Sequence, residues 1–233
     1  MIGVYDYTVI LTYLSIMSGA TGIFVSLQGY GHPYIGVFFL LLSGLCDAFD
    51  GKVARTKKNR TKLEKSFGVQ VDSLADLVSF GVLPACIGMA MLRVSERYSA
   101  LKFINELTRK VSWYSVILTI IAAFYVLAAL IRLAYFNATE EEREEEIAKT
   151  GSMHYTGLPV TSAALIFPFV VLVHFFTRFD FSLLYFLVLL LVAILFICPF
   201  KIKKMGGKAL YVLVSIGVIE CILLVWFLWS HLR

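Results

Sequence analysis

The sequence predicts an all-α, polytopic integral membrane protein, and three observations carry that prediction. Of its 233 residues, 59% are hydrophobic and only 16% are charged, whereas soluble domains are nearer half apolar and a quarter charged. Apolar stretches long enough to cross about 30 Å of hydrocarbon, roughly 17 to 25 residues as helix, recur along the whole chain. Basic residues gather between those stretches rather than inside them. This composition excludes a soluble globular domain, and no nucleic-acid partner is expected.

In chain order the stretches are 8–28, 34–50, 69–92, 112–136, 158–177, 181–200 and 209–230, giving seven spanning helices in one membrane domain over 1–233. Asp6, not a basic cluster, precedes the first, which is also too long for a signal-peptide core, so it is expected to remain in the protein. The second ends in acids, at "CDAFD", and the third carries two more. Gly157 and Pro159 punctuate the start of the fifth. The seventh brings Trp226 and Trp229 close to its end, where an interfacial aromatic belt is ordinary; it also contains an acid, Glu220.

Loop charge sets the orientation. Lys52, Arg55, Lys57, Lys58, Arg60, Lys62 and Lys65 lie in 51–67, and Lys201, Lys203, Lys204 and Lys208 in 201–208. Both segments are expected on the cytoplasmic side together with 137–157 and the N-terminus, and an odd helix count then puts Arg233 outside. Segments 29–33, 93–111 and 178–180 fall opposite, although Arg93, Arg97, Lys102, Arg109 and Lys110 weaken the contrast. "EEEREEE" at 140–146 reads as a solvated charge block. Cys46, Cys86, Cys198 and Cys221 lack metal-site spacing and read as packing residues. His32, His154, His174 and His231 are scattered without ligand spacing and read as packed or interfacial.

Four carboxylates in this setting need an explanation. Asp47 and Asp50 are three residues apart and Asp72 and Asp76 four apart, so each pair shares one helix face. An ionised group at the bilayer centre costs about 2.5 to 3.5 kcal/mol on insertion scales and persists where it faces a polar cavity with partners. The second helix runs toward the cytoplasm and the third away from it, so all four acids can meet at that end. Hard oxygen ligands without His or Cys suit Mg²⁺, Mn²⁺ or Ca²⁺, with Mg²⁺ the default beside phosphates. The neighbouring cations suit phosphate oxygens, and the small residues Gly51, Ala54, Gly68, Ser73 and Ala75 let a ligand approach the backbone.

DAFDGKVAR followed by GVQVDSLAD resembles the signature of the CDP-alcohol phosphotransferase family, DxxDGxxAR…GxxxDxxxD, with Asp47, Asp50, Gly51, Ala54, Arg55, Gly68, Asp72 and Asp76 at its eight fixed positions. The resemblance implies a six-helix core over about 8–204, with 209–230 as an extra transmembrane helix, and a membrane enzyme that moves a phosphatidyl or related group from a CDP-activated donor to an alcohol, releasing CMP. It implies one or two Mg²⁺ or Mn²⁺ ions at the donor diphosphate on Asp47, Asp50 and Asp72. Asp76 would join the metal site and act as general base, while Gly51, Ala54, Arg55 and Gly68 would fit around the cytidine and phosphates. A homodimer and a site at the cytoplasmic face follow from the same resemblance.

"FGVQVDSLADLVSFGVLPA" at 67–85, "RLAYFN" at 132–137 and "TGLP" at 156–159 resemble the phosphatidylserine synthase branch, which implies CDP-diacylglycerol as donor and L-serine as acceptor. By that resemblance Arg132 and Asn137 belong to the serine or phosphate pocket; the plainer reading makes them an interfacial anchor and a helix cap. Tyr155, Thr156 and Gly157 read as a turn.

Two departures stand out. Twelve residues separate Arg55 from Gly68, where relatives usually have about eight, so "TKKNRTKLEKSF" is expected to lengthen the loop, with Thr61 or Ser66 as the donor-contacting hydroxyl. Val9 stands where an asparagine is expected ahead of Thr12. Three alternatives remain open: another acceptor, such as glycerol 3-phosphate or inositol; an archaeal ether-lipid donor; and, in a different class, a cation transporter.

Overall fold

A computed structural model describes residues 3–28, 33–94, 113–139, 154–177, 182–203 and 207–232. Its helices are α1 (Ile10–Leu27), α2 (Pro33–Ala54), α3 (Lys62–Asp76), α4 (Leu83–Val94), α5 (Trp113–Ala138), α6 (Ala163–Thr177), α7 (Ser182–Ile197) and α8 (Gly207–Leu232). A π-helical turn, Leu77–Val82, joins α3 to α4 without a break, so the described helices fall on the seven expected stretches. Tyr7–Leu27, Pro33–Ala54, Lys62–Arg93 and Trp113–Ala138 are long and apolar enough to cross a membrane, and shorter apolar helices occupy Val160–His174, Ser182–Ile197 and Tyr211–Trp226. The protein is an all-α integral membrane protein. The block at 140–146 and most of 93–111 lie outside the described residues, as do His32 and the side chains of His154 and His231.

α1 is apolar outside and polar inside. Asp6 accepts the Tyr7 N–H at 2.7 Å and so starts the 3₁₀ turn Tyr7–Val9 that leads into the helix. Thr12, Ser15, Ser18, Gly19, Gly22 and Ser26 are buried, while Ile10, Leu14, Met17 and Phe24 are exposed. Between membrane helices no hydrophobic drive exists, so small residues that admit close approach and hydroxyls that bond across the gap make the contact. Ser15 Oγ and Ser43 Oγ are 2.6 Å apart and Ser18 Oγ donates to Phe39 O at 2.8 Å. A Cβ on Gly22 would collide with Leu83 and Phe39 at 2.9 Å.

The rod of α3 and α4 starts at Lys62, seven residues before the apolar stretch. A capping box makes the polar start helical: Thr61 Oγ1 accepts the Glu64 N–H at 3.2 Å and Glu64 accepts the Thr61 N–H at 2.7 Å, satisfying two donors that a helix start leaves open. Pro84 accounts for the π turn downstream. Proline lacks the N–H that would bond the carbonyl four residues back, and its ring clashes with that carbonyl; widening the helix relieves the clash. The carbonyl concerned is Phe80 O, which accepts the Tyr125 hydroxyl at 2.7 Å, while Tyr185 donates to Pro84 O at 2.9 Å. In hydrocarbon an orphaned carbonyl costs several kcal/mol, so these tyrosines make the interruption tolerable.

The same tyrosines hold the core. Tyr125 packs edge-on against Phe167 at 5.5 Å and tilted on Phe196 at 5.6 Å, and Phe167 lies 5.2 Å from Tyr185, tying α5, α6 and α7 together. α8 packs against α2 and α6, with Leu165 in contact distance of a Cβ placed on Gly217. Trp226 and Trp229 are exposed on α8, and Glu220 is buried on it with Oε2 lacking a hydrogen-bond partner among the described residues. Tyr34 stacks on His174, and all four cysteines are partly buried free thiols.

Two short strands depart from an all-helical reading. β1 (His154–Thr156) and β2 (Lys201–Lys203) pair antiparallel with Tyr155 opposite Ile202, and the Gly157 N–H extends the ribbon to Phe200 O at 2.7 Å. Tyr155 and Thr156 are therefore in a strand, and the turn falls at Gly157. Its φ is +78°, and a Cβ there would press on Cys198 O at 3.1 Å, so the turn requires glycine.

Candidate functional site

The four aspartates stand in the last turns of α2 and of α3. One carboxylate oxygen from each of Asp47, Asp50 and Asp72 lies within 4.8 Å of the others. Asp76, one turn beyond Asp72, is outside that group but lies against Asp47, and it is buried, as is Asp50. From α1, Thr12 Oγ1 donates to Asp50 Oδ2 at 3.2 Å. With Val9 at the helix start, α1 therefore reaches the cluster through its next hydroxyl. Three anionic oxygens this close in an apolar bundle repel unless a cation joins them. The donors are all hard oxygens, which fits a divalent Mg²⁺-type ion and not a Zn²⁺ or copper centre.

Glycine and arginine frame the cluster on both arms. A Cβ on Gly51 would lie 3.8 Å from both terminal nitrogens of Arg55, an ordinary contact; Arg55 itself is exposed just beyond α2. Gly68, one turn before Asp72 on the same face, has its would-be Cβ only 2.7 Å from Arg60 Nη2. Ala54 ends α2, half-buried.

The linker between Arg55 and Gly68 is not the lengthened loop that its residue count predicts. Its second half, 62–67, is the capped first part of α3, and its first half is clasped. Lys57 Nζ contacts Asp6 Oδ2 at 2.7 Å and Glu64 Oε1 at 2.8 Å. The Lys57 hydrogen bond holds the Asp6 carboxyl below its ordinary range, and the bonds to Asp6 and Glu64 raise the Lys57 ammonium. Thr56 Oγ1 donates to Tyr7 OH at 3.3 Å. The Thr61 hydroxyl is spent on the helix cap, while Ser66 is exposed. Sequence reasoning passed over this clasp, although T-x-x-E at 61–64 is a readable capping signal.

Arg132 and Asn137 do not join the carboxylate group. Arg132 is buried, donates from Nε to Leu158 O at 3.2 Å and lies over the Phe136 ring at 5.7 Å. Asn137 Nδ2 donates to Ser73 Oγ at 2.8 Å, which fastens the end of α5 beside Asp72.

Comparison with known proteins agrees with this geometry. The family model described as CDP-alcohol phosphatidyltransferase matches residues 8–226. A CDP-diacylglycerol–serine O-phosphatidyltransferase of Saccharomyces cerevisiae is 32% identical over 163 residues, 66% of this chain and 50% of the yeast protein. One of the same name from Mycobacterium leprae is 30% identical over 155 residues, 66% of this chain and 43% of that protein. An archaetidylserine synthase of Methanothermobacter thermautotrophicus is 31% identical over 159 residues, 67% of this chain and 53% of that protein. The chain thus spans about half the length of these curated relatives. No solved structure matches it significantly.

Proposed function

Because this chain belongs to the CDP-alcohol phosphatidyltransferase family, we propose that it transfers a phosphatidyl group from CDP-diacylglycerol to the hydroxyl of L-serine, giving phosphatidylserine and CMP for phospholipid synthesis. The observation that carries the reading is the convergence of Asp47, Asp50 and Asp72 within 4.8 Å beside Gly51, Arg55 and Gly68, at the positions of the motif. The names of several relatives support serine as the acceptor.

Asp47, Asp50 and Asp72, joined by Asp76, are the residues that would hold one or two divalent ions, Mg²⁺ or Mn²⁺. Bound there, such an ion supplies charge neutralisation at the donor diphosphate and at the departing CMP. The chain's own groups do the rest. Gly51, Ala54 and Gly68 leave room for the nucleotide against the backbone, and Arg55 offers paired donors to phosphate oxygens. Asp76 accepts the proton of the acceptor hydroxyl as its oxygen attacks the lipid-bearing phosphorus. The new O–P bond forms as the P–O bond to CMP breaks, in one direct displacement. Arg132 and Asn137 stand on the acceptor side, fixed by Leu158 O and Ser73.

In this reading the site faces the cytoplasm, as does the N-terminus, because the basic linker 51–67 surrounds it. A homodimer belongs to it by family resemblance. The experiment is CMP release from CDP-diacylglycerol vesicles with Mg²⁺. Release on addition of serine is expected; release only with glycerol 3-phosphate or inositol would replace the acceptor. The archaetidylserine synthase relative makes a CDP-activated ether lipid the second donor to test. Metal flux into liposomes without nucleotide-lipid turnover would instead identify a cation transporter.

A further inference from the structure

We infer that Arg60, a residue of the long linker and not of the motif, is a phosphate-binding residue for the nucleotide donor. The inference rests on the proposed phosphatidyl transfer and on three observations independent of it.

The first is position. Gly68, Asp72 and Asp76 occupy one face of α3 at four-residue intervals, about 6 Å of rise each. Arg60 Nη2 fills the space that a Gly68 side chain would take, so the guanidinium lies at the linker end of the carboxylate face. The second is unmet demand. Nη2 donates to Glu64 O at 3.2 Å, but among the described residues the buried Nε has no acceptor and no carboxylate pairs with Arg60. A buried guanidinium N–H is costly to leave unanswered, and the fork of N–H groups matches phosphate oxygens. The third is restraint. Lys57 pins the linker to Asp6 and Glu64, and the capping box at Thr61 fixes the residue that follows Arg60, so little freedom is lost when a ligand binds.

Arg55 and Arg60 thus bracket the cluster, each lying against a glycine of the motif. A nucleoside diphosphate held at the aspartates through a divalent cation would present its phosphates between them. The linker between Arg55 and Gly68 is, on this account, what delivers the second arginine.

The test uses the full chain in vesicles with Mg²⁺ and compares wild type with Arg60→Gln and Arg60→Lys. The probes are CDP as a competing ligand, and CDP-diacylglycerol and serine as substrates. Arg60→Gln should raise the CDP-diacylglycerol KM and weaken CDP binding about tenfold, leaving the serine KM and the melting temperature unchanged, with Arg60→Lys recovering part of the loss. Unchanged CDP affinity in Arg60→Gln overturns the inference, as does a loss that tracks a lower melting temperature and extends equally to serine. If wild type binds CDP but releases no CMP with any acceptor, the transfer reading fails while the CDP comparison still decides the role of Arg60.

Discussion

Where α2 meets α3, three carboxylates crowd their oxygens within 4.8 Å and Thr12 donates to one of them; at the end of α5, Arg132 and Asn137 are met by Leu158 O and Ser73 Oγ. Both corners are polar and both lie in an apolar bundle. Among the described residues no cation forms an ion pair with the first corner's carboxylates, whereas the second carries donors met by the chain itself. Because burying an unanswered charge is expensive, the first corner has the make-up of a cation site, the role the proposed function gives it. The second is built to keep its own side chains still. In the proposed reaction the donor sits at the first corner and the acceptor is positioned by the second.

Substitution within the first corner gives the largest effects. Asp76→Asn keeps the shape and removes the proton acceptor, so serine-dependent CMP release should fall by about 10² to 10⁴ while CDP binding in Mg²⁺ survives. Asp72→Ala removes an oxygen from the converging set, so CDP affinity itself should drop and lose its dependence on Mg²⁺. Near-normal turnover in Asp76→Asn would remove it from the base role. Metal-dependent CDP binding that persists unchanged in Asp72→Ala would dissolve the contrast between the corners.

The second corner should respond more gently. Asn137→Ala loses one hydrogen bond to Ser73, on the order of 1 kcal/mol, and should raise the serine KM about fivefold with the CDP-diacylglycerol KM unchanged. A lower melting temperature with an unaltered serine KM would make Asn137 a strut between α5 and α3 and remove it from the acceptor side.

The two corners were unequally legible in the sequence. Aspartates in an apolar background announce themselves, since their cost in hydrocarbon demands a reason, and a helical spacing of three or four places each pair on one face. Helix positions followed from hydropathy for a similar reason. What escaped is what depends on contacts between distant segments. Thr12 is 38 residues from Asp50, and the three-residue strands 154–156 and 201–203 have no pattern of their own and exist because their partners pass alongside. Arg60 was one cation among seven in its loop until the fold set it against Gly68. Two local signals were present and unused: T-x-x-E at 61–64, which starts α3 early, and Pro84 within the third apolar stretch.

Pro84 supplies the smallest effect on turnover and a link from the core to the first corner. The π turn begins at Leu77, directly after Asp76, and its carbonyl at Phe80 accepts the Tyr125 hydroxyl at 2.7 Å. Such turns inside helices are frequent at functional sites, and here the widened turn follows Asp76, which lies against Asp47 and is the proposed general base. Tyr125→Phe keeps the ring against Phe167 and Phe196 and removes only the donor. The buried carbonyl is then left unanswered at a cost of about 1 to 3 kcal/mol, so the melting temperature in detergent should fall by several degrees. If the turn sets the aim of Asp76, turnover should decline modestly with CDP affinity preserved, a weak copy of Asp76→Asn. A lower melting temperature with unaltered turnover would confine the tyrosine to the core, and an unaltered melting temperature would show that Phe80 O finds another donor.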